Sequence, residues 1–267
     1  MRILHQFPVS PTCEKVRWVL DAKRLDYTVR NLFPGWHARV NRKLVGETTV
    51  PVLIDGERAV HDSRGILQYL EQTHPERRLL PDDEGLRALT LALETYFDRA
   101  VGPAVSHWVY GQLLRKRGAA TRAFFAGYAR GARLAGQVAG LLFERRLRQM
   151  YPPDDESLAA AERTILDGIE RLENTIDRNP ERLLVGDSLT LADITAASLL
   201  GPIIGPAQSP WPDSDRLLTP IRALRDRLRE RPGGLWVLRR YVTRHPQPAL
   251  LAPMEAVAAS VSPAASA

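Results

Sequence analysis

The chain has only one cysteine among its 267 residues, and that residue is Cys13. A single cysteine excludes an intrachain disulfide and a zinc site built from several thiolates, so we expect no metal. No stretch reaches the ~20 consecutive apolar residues that a transmembrane helix needs. Residues 1–10 lack the basic, apolar and small-residue regions of a signal peptide. Together these absences predict a protein of the cytoplasm.

The charged residues form no long run of one sign, although basic residues outnumber acidic ones by 37 to 31 and the pI is about 9.8. A basic balance is typical of proteins that bind nucleic acid or anionic membranes. Here acids interrupt the basic residues, as in Arg225-Asp226-Arg227, so a solvated surface and no nucleic-acid partner are expected. Such a surface also attracts small anionic ligands.

The first eighty residues alternate between strand and helix signals. A proline in the first turn and the apolar spacing of Val16, Val19 and Leu20 predict a helix after Ser10. A second helix is predicted after Asp62, with Ile66, Leu67 and Leu70 facing inward. Strands are predicted around Ile3-Leu4, Tyr27–Asn31, Val50–Ile54 and Ala59–His61, with Asp55-Gly56 as a hairpin turn. The order βαβ, then ββα, is thioredoxin-like.

From residue 86 onward the pattern is helical. Helices are predicted over 86–101, 103–117, 156–178 and 218–230, and one beginning at Thr190, where Thr190 and Asp193 have the spacing of a capping box. The fold class is therefore an α/β thioredoxin-like domain followed by an all-α helical bundle. The limits are predicted at 1–75, a linker at 76–85, the helical domain at 86–245, and a disordered tail rich in Ala, Pro and Ser at 246–267.

Three short motifs in the first domain can carry chemistry. Ser10 and Cys13 flank the start of the first helix, where unsatisfied N–H groups and the helix dipole stabilise a thiolate. Ser10 is either a donor to a bound thiolate or a plain N-cap, and Cys13 is either reactive or a buried filler. Val50-Pro51 begins a strand with an X-Pro bond, which can be cis, and its backbone can pair with a peptide.

The third motif is Asp62-Ser63 at the start of a helix, which is either a carboxylate-binding site or a cap. Together these motifs resemble the glutathione transferase superfamily, serine type. Ser10-Pro11-Thr12-Cys13 looks like the glutaredoxin Cys-Pro-x-Cys motif with serine in the first position. The other matching segments are Val50-Pro51-Val52-Leu53, Asp62-Ser63, Thr190-Leu191-Ala192-Asp193-Ile194 and Arg231-Pro232. The resemblance covers roughly residues 1–100 and 156–240.

The resemblance implies a cytosolic homodimer of the detoxification type that uses glutathione as co-substrate. Ser10 then stabilises the thiolate, Val50 and the strand-start Pro51 position the cysteinyl backbone, and Asp62 with Ser63 holds the γ-glutamyl end. A basic residue meets the glycyl carboxylate, for which Lys43 is chosen over His37, Arg39 and Arg42. The acceptor pocket is expected near Pro11, His107 and Trp108.

The sequence departs from the family pattern in three places. Asp62 stands where glutamate or glutamine is commoner, and Thr49 where lysine, glycine or glutamine is usual. Residues 103–155 form a longer segment than most members have. Within it, Gly127, Gly131, Gly136 and Gly140 indicate either tight packing or a broken helix. We interpret residues 119–150 as packed against the domain or a dimer partner rather than as a basic amphipathic helix on a membrane.

Three functions are compatible with these features. The leading hypothesis is a transferase that conjugates the glutathione thiolate to small, apolar electrophiles. A second hypothesis makes Cys13 the reactive group in glutathione-dependent thiol exchange or reduction. The third is a non-catalytic binding or assembly module that keeps the fold.

Overall fold

A small mixed sheet with three helices forms the N-terminal part of the computed structural model, which describes residues 1–138, 140–211, 217–244 and 250–251. The strands are β1 (Arg2–Gln6), β2 (Thr28–Asn31), β3 (Val52–Asp55) and β4 (Arg58–His61), and the helices are α1 (Pro11–Ala22), α2 (Trp36–Val45) and α3 (Ser63–Thr73). β1 pairs with β2 in parallel and with β3 antiparallel, and β3 pairs antiparallel with β4. The predicted βαβ–ββα order is confirmed.

The core of this part lies between the sheet and the helices α1 and α3. β1 is the central strand, so Leu4 is fully buried, as is Leu53 on β3. The predicted apolar stripes are also buried, with Val16 on α1 and Ile66 and Leu70 on α3 at 0% exposure. Because these residues recur at helical spacing, each helix presents one continuous apolar face to the sheet.

Nine helices make up the rest of the described chain. They are α4 (Glu84–Tyr96), α5 (Gly102–Leu114), α6 (Ala119–Phe125), α7 (Arg130–Val138), α8 (Gly140–Met150), α9 (Asp155–Thr175), α10 (Leu191–Ile204), α11 (Thr219–Arg229) and α12 (Pro232–Thr243). A π-helical segment, Phe97–Val101, joins α4 to α5. None of the helices in the described ranges is long and apolar enough to cross a membrane.

The predicted fold class, an α/β unit followed by a helical bundle, is thus confirmed. The domain limits stay predictions. A two-residue strand, β5 (Leu250–Leu251), pairs in parallel with β2. The rest of the segment predicted to be a disordered tail, 246–249 and 252–267, lies outside the described residues.

Helix α10 is the centre of the helical region. All its residues are buried, and it packs against α1, which joins the two parts of the molecule. The predicted capping box is confirmed, because the Asp193 carboxylate accepts from the backbone N–H of Thr190 at 2.9 Å and that of Leu184 at 2.8 Å. Burial raises the pKa of Asp193, and these hydrogen bonds oppose that rise.

Two groups of buried ion pairs fix α1 to the helical region. Lys15, which is fully buried, donates from Nζ to Glu94 and to Asp98, both at 2.7 Å. Arg244, just after α12, pairs with Asp21 at 2.7 Å and with Glu14. A buried charge is tolerated only when it is paired, so these contacts specify how α1 sits on the bundle.

Residues 119–150 form three short helices, which confirms the broken-helix alternative. Gly136 also shows tight packing, because a Cβ there would lie 2.7 Å from the ring of Phe125.

Helix α12 was not predicted, since Gly233-Gly234 has low helix propensity. The glycine is required there, because a Cβ at Gly234 would lie 2.0 Å from the carbonyl oxygen of Leu228.

Candidate active site

The sheet topology brings the three predicted motifs to one end of the sheet. The β1–β3 register pairs His5 with Val52, so Val50 and Pro51 lead into β3 at the end of the sheet where β1 finishes. The first helix begins at this end of β1. β4 ends there as well, since its last residue also pairs with Val52, and α3 follows at Ser63. The backbone of Val50 therefore lies at the same end of the sheet as the N-termini of α1 and α3.

Ser10 caps α1 and keeps a proton to donate. Its backbone is extended, with φ −73° and ψ 123°, and its Oγ accepts from the backbone N–H of Cys13 at 3.3 Å. Thr12 Oγ1 lies 2.9 Å from the same oxygen. A hydroxyl has two acceptor sites and one donor. When Thr12 donates, both acceptor sites of Ser10 are occupied and only its O–H remains for a ligand.

Cys13 lies behind this corner and is fully buried. Burial raises the pKa of its thiol, and the Ser10 hydrogen bond only partly opposes that rise. A protonated, inaccessible thiol is a poor nucleophile. The structure therefore argues against the Cys13-dependent hypothesis and for the interpretation of Cys13 as a buried filler.

A buried amide holds the segment that carries Val50, and sequence reasoning did not predict it. Asn41 on α2 is fully buried, donates from Nδ2 to the Thr49 carbonyl at 2.7 Å, and lies 3.0 Å from Nδ1 of His5 through its Oδ1. Because the Asn41 Oδ1 is an acceptor, His5 Nδ1 carries the proton. Burial lowers the pKa of His5, which keeps the ring neutral.

Two backbone features mark the Val50 and Asp62 positions. The Val50–Pro51 peptide is cis. Asp62 has φ 64° and ψ 138°, a conformation that costs a residue with a side chain about 1–3 kcal/mol and that is found preferentially at functional sites. Asp62 is exposed, and its side chain makes no capping bond within the described chain, whereas Ser63 is buried at the first position of α3.

Comparison with known proteins gives this geometry a family. Residues 4–78 match the family model of the glutathione S-transferase N-terminal domain. A glutathione S-transferase of Triticum aestivum is 25% identical over 195 residues, covering 73% of this chain and 75% of the relative. The N-terminal domain of the chain, residues 4–78, is therefore of the glutathione transferase type.

Two further matches extend over most of the chain. FtsZ-localized protein A of Caulobacter vibrioides is 27% identical over 238 residues, covering 86% of this chain and 90% of that protein. A crystal structure of a glutathione S-transferase from Methylobacillus flagellatus, with glutathione bound, shares the fold. Its TM-score is 0.56 at 20% identity, with 91% of this chain and 96% of that one covered.

The basic residues of α2 are buried to different degrees. Lys43, Arg42 and Arg39 are exposed, with Lys43 in the last turn of the helix. His37 is half-buried in the first turn, where its ring meets Phe7 edge-on at 4.7 Å, and burial lowers its pKa. Lys43 is therefore accessible to a ligand, whereas His37 is packed against Phe7 and its lowered pKa favours the neutral ring.

The residues predicted to form the acceptor pocket have different surroundings. Pro11 is half-buried beside Ser10 at the start of α1. Trp108 is 2% exposed and donates from Nε1 to Glu162 at 3.2 Å, so it is a core residue of the helical region. His107 Nε2 lies 3.0 Å from the Pro152 carbonyl oxygen.

Aromatic residues of the 119–150 segment cover the β1–α1 corner instead. Phe124 meets Phe7 edge-on at 5.1 Å, and Phe125 lies 5.2 Å from Phe33. Tyr128 donates to the Leu32 carbonyl at 2.7 Å. Together these side chains form an apolar wall beside Ser10. The sequence signal for it was the aromatic content of residues 124–128, which gave no indication of what it packs against.

Proposed function

We propose that this protein binds glutathione at the sheet end formed by Ser10, Val50 and Ser63 and conjugates its thiolate to small, apolar electrophiles. The observation that carries the proposal is the Ser10 hydroxyl, which sits at the N-terminus of a twelve-residue helix. Its oxygen accepts from Cys13 N–H and lies 2.9 Å from Thr12 Oγ1, which can donate to it and leave the Ser10 proton for a ligand. The helix dipole and a donated hydrogen bond both favour a bound thiolate.

The rest of the tripeptide has complementary groups along the same edge. In the proposal, the backbone of Val50 pairs with the cysteinyl residue as an added strand. Asp62 and Ser63, with the N-terminal amides of α3, take the ammonium and carboxylate of the γ-glutamyl end. Lys43 is proposed for the glycyl carboxylate. Pro11 and the apolar wall around Phe7 are proposed to contact the electrophile.

The proposed chemistry depends on the pKa of the bound thiol. A cysteine thiol has a pKa of about 8.5, and each unit of lowering corresponds to about 1.36 kcal/mol. A hydrogen bond to a charged group contributes about 1.5–3 kcal/mol, so Ser10 alone accounts for a fall of about one to two units. The thiolate then attacks the electrophilic carbon, and the leaving group departs from that carbon.

The decisive experiment is calorimetric titration with glutathione, together with the pH dependence of the thiolate absorbance of the complex. Wild type is compared with Ser10→Ala and Ser10→Gly, because both variants lack the hydroxyl but glycine is nearly as good an N-cap as serine. We expect both variants to bind glutathione with a thiol pKa raised by about one to two units. A wild-type thiol pKa equal to that of free glutathione refutes the mechanism, and a defect confined to Ser10→Ala assigns Ser10 to capping alone.

A second candidate function is a non-catalytic assembly module. It is favoured by the likeness to FtsZ-localized protein A, which extends over 86% of this chain. In this case the protein co-sediments with FtsZ polymers and shows no heat of binding with millimolar glutathione. Binding of glutathione with a lowered thiol pKa supports the transferase instead. In either function, we propose that the protein works as a cytoplasmic homodimer.

A further inference from the structure

The positive charge of the protein is concentrated in one segment. Residues 115–150 contain nine lysines and arginines and a single acid, Glu144, which gives a net charge of +8 when the whole chain has +6. All nine basic residues are exposed. We call this surface the basic face, and its members are Arg115, Lys116, Arg117, Arg122, Arg130, Arg133, Arg145, Arg146 and Arg148.

The one acid of the segment does not neutralise this surface. Glu144 is 6% exposed, and its carboxylate accepts from Gly118 N at 3.2 Å and from Thr121 N at 3.3 Å, which caps α6. Arg115 is paired with Asp155. The other arginines and the lysine of the basic face have no carboxylate partner within the described chain.

Exposed leucines lie on α7 and α8, inside the basic face. Leu134, Leu141 and Leu142 are 64%, 65% and 75% exposed. Each has an arginine four residues away on the same helix, at Arg130, Arg145 and Arg146, so that cation and leucine share a helix face. Three large apolar side chains this exposed on two consecutive helices indicate a surface that is covered in use.

A cleft of about 510 Å³ opens next to these leucines, between the α5–α6 connection and α8. It is lined by Arg117, Arg145 and Arg148 together with Leu141, Glu144 and Gln149. The Arg148 guanidinium also donates to the Leu114 carbonyl oxygen. Several guanidinium groups around one opening suit a phosphate, since arginine binds phosphate oxygens bidentately.

We propose that the exposed surface of α7 and α8 binds the surface of an anionic lipid bilayer. The leucines enter the boundary of the acyl chains, and the arginines contact the lipid phosphates, one of them held in the cleft. An interfacial helix places apolar side chains at this boundary and basic side chains among the headgroups, which is the combination of residues that α7 and α8 expose. An acidic protein surface requires the cations but gives no comparable role to three exposed leucines.

The proposal predicts a reversible association with the membrane that weakens with each arginine or leucine that is removed. Removing one arginine near an anionic membrane surface lowers the partition coefficient of the protein between vesicles and water about fivefold. Removing an inserted leucine lowers it about tenfold. Raising the salt concentration weakens the association through the arginines and leaves the leucine contribution in place.

The test is co-sedimentation of the full chain with vesicles of phosphatidylcholine alone and of phosphatidylcholine mixed with phosphatidylglycerol. The variants are Leu141→Ser combined with Leu142→Ser, and Arg145→Gln combined with Arg146→Gln. These positions are exposed, so the substitutions leave folding intact. We expect binding of wild type to the mixed vesicles only, with about twenty-five-fold loss in the arginine variant and about hundredfold loss in the leucine variant.

Matched controls are Val242→Ser, which removes an apolar side chain 65% exposed on α12, and Arg163→Gln, which removes an exposed arginine on α9. Both are expected to bind as wild type does. The proposal is overturned if wild type does not bind the mixed vesicles, or if it binds equally to phosphatidylcholine alone. It is also overturned if the leucine variant binds normally, or if polyglutamate or inorganic phosphate displaces the protein fully at low concentration.

Discussion

Replacing Asn41 by alanine tests whether a buried amide positions the Val50 backbone. Asn41 is fully buried and is bonded to His5 on β1 and to the carbonyl of Thr49, immediately before Val50. The substitution leaves the buried Nδ1–H of His5 and the carbonyl of the exposed residue Thr49 without these partners. A buried group without its partner costs about 1–3 kcal/mol, so we expect the free energy of unfolding to fall by a similar amount.

The same substitution releases the segment before Val50. If that backbone pairs with glutathione by two hydrogen bonds of about 0.5–1.5 kcal/mol each, misplacing it weakens glutathione binding about tenfold. Hydrogen exchange of the backbone amides in residues 46–50 gives a readout that does not depend on glutathione. We expect faster exchange there in Asn41→Ala.

The control is Asp193→Asn, which disrupts a buried capping network in the helical region. Its carboxylate accepts from Thr190 and Leu184, so the variant loses stability by a similar mechanism away from the sheet end. We expect it to bind glutathione as wild type does under conditions where it is folded. If Asn41→Ala loses stability but keeps both the glutathione affinity and the slow exchange of residues 46–50, Asn41 does not position Val50.

Three further predictions concern the hydroxyl pair, pH and the α7 glycines. Thr12→Val removes the partner of the Ser10 hydroxyl, so turnover at neutral pH is expected to fall about threefold, which is less than in Ser10→Ala. A loss as large as in Ser10→Ala contradicts the interpretation that Thr12 acts only by supporting the Ser10 hydroxyl. The pKa of His5 is lowered by burial from 6.5, so the unfolded chain binds more protons than the folded one below that pH. Stability is therefore complete above about pH 6.5 and falls as the pH drops, and in urea denaturation His5→Gln is expected to show a smaller fall between pH 7 and pH 5. Gly136→Ala is expected to lower the free energy of unfolding by about 1–3 kcal/mol, because the added Cβ meets an aromatic ring. Gly131→Ala is expected to raise the free energy of unfolding by up to about 1 kcal/mol, because nothing lies within 4 Å of the added Cβ. Equal effects of the two alanines contradict the packing explanation.

Local signals in the sequence predicted most of the secondary structure. The capping box at Thr190 and Asp193 and the cap at Ser10 depend on hydrogen bonds that span three residues, so the spacing alone reveals them. The hairpin at Asp55-Gly56 and the inward faces of α1 and α3 are local in the same sense, since helix and strand periods appear directly in the order of residues.

The parts of the site that sequence reasoning missed depend on contacts between distant residues. Asn41 is an ordinary polar residue on a helix until the fold places it between His5 and the Thr49 carbonyl. Trp108 was expected at the border of the acceptor pocket from the family resemblance, and the packing of α5 on α9 buries it.

Residue order and spacing therefore fixed the strand and helix sequence, the helix caps and the three motifs at the sheet end, because each arises from interactions within a few residues. Only the packed chain decided that Tyr128 reaches the Leu32 carbonyl, 96 residues away, and that α7 and α8 project leucines and arginines together. Such contacts depend on how whole helices pack. A bond between two distant residues forms only after the loop between them has been closed and the intervening core has been buried.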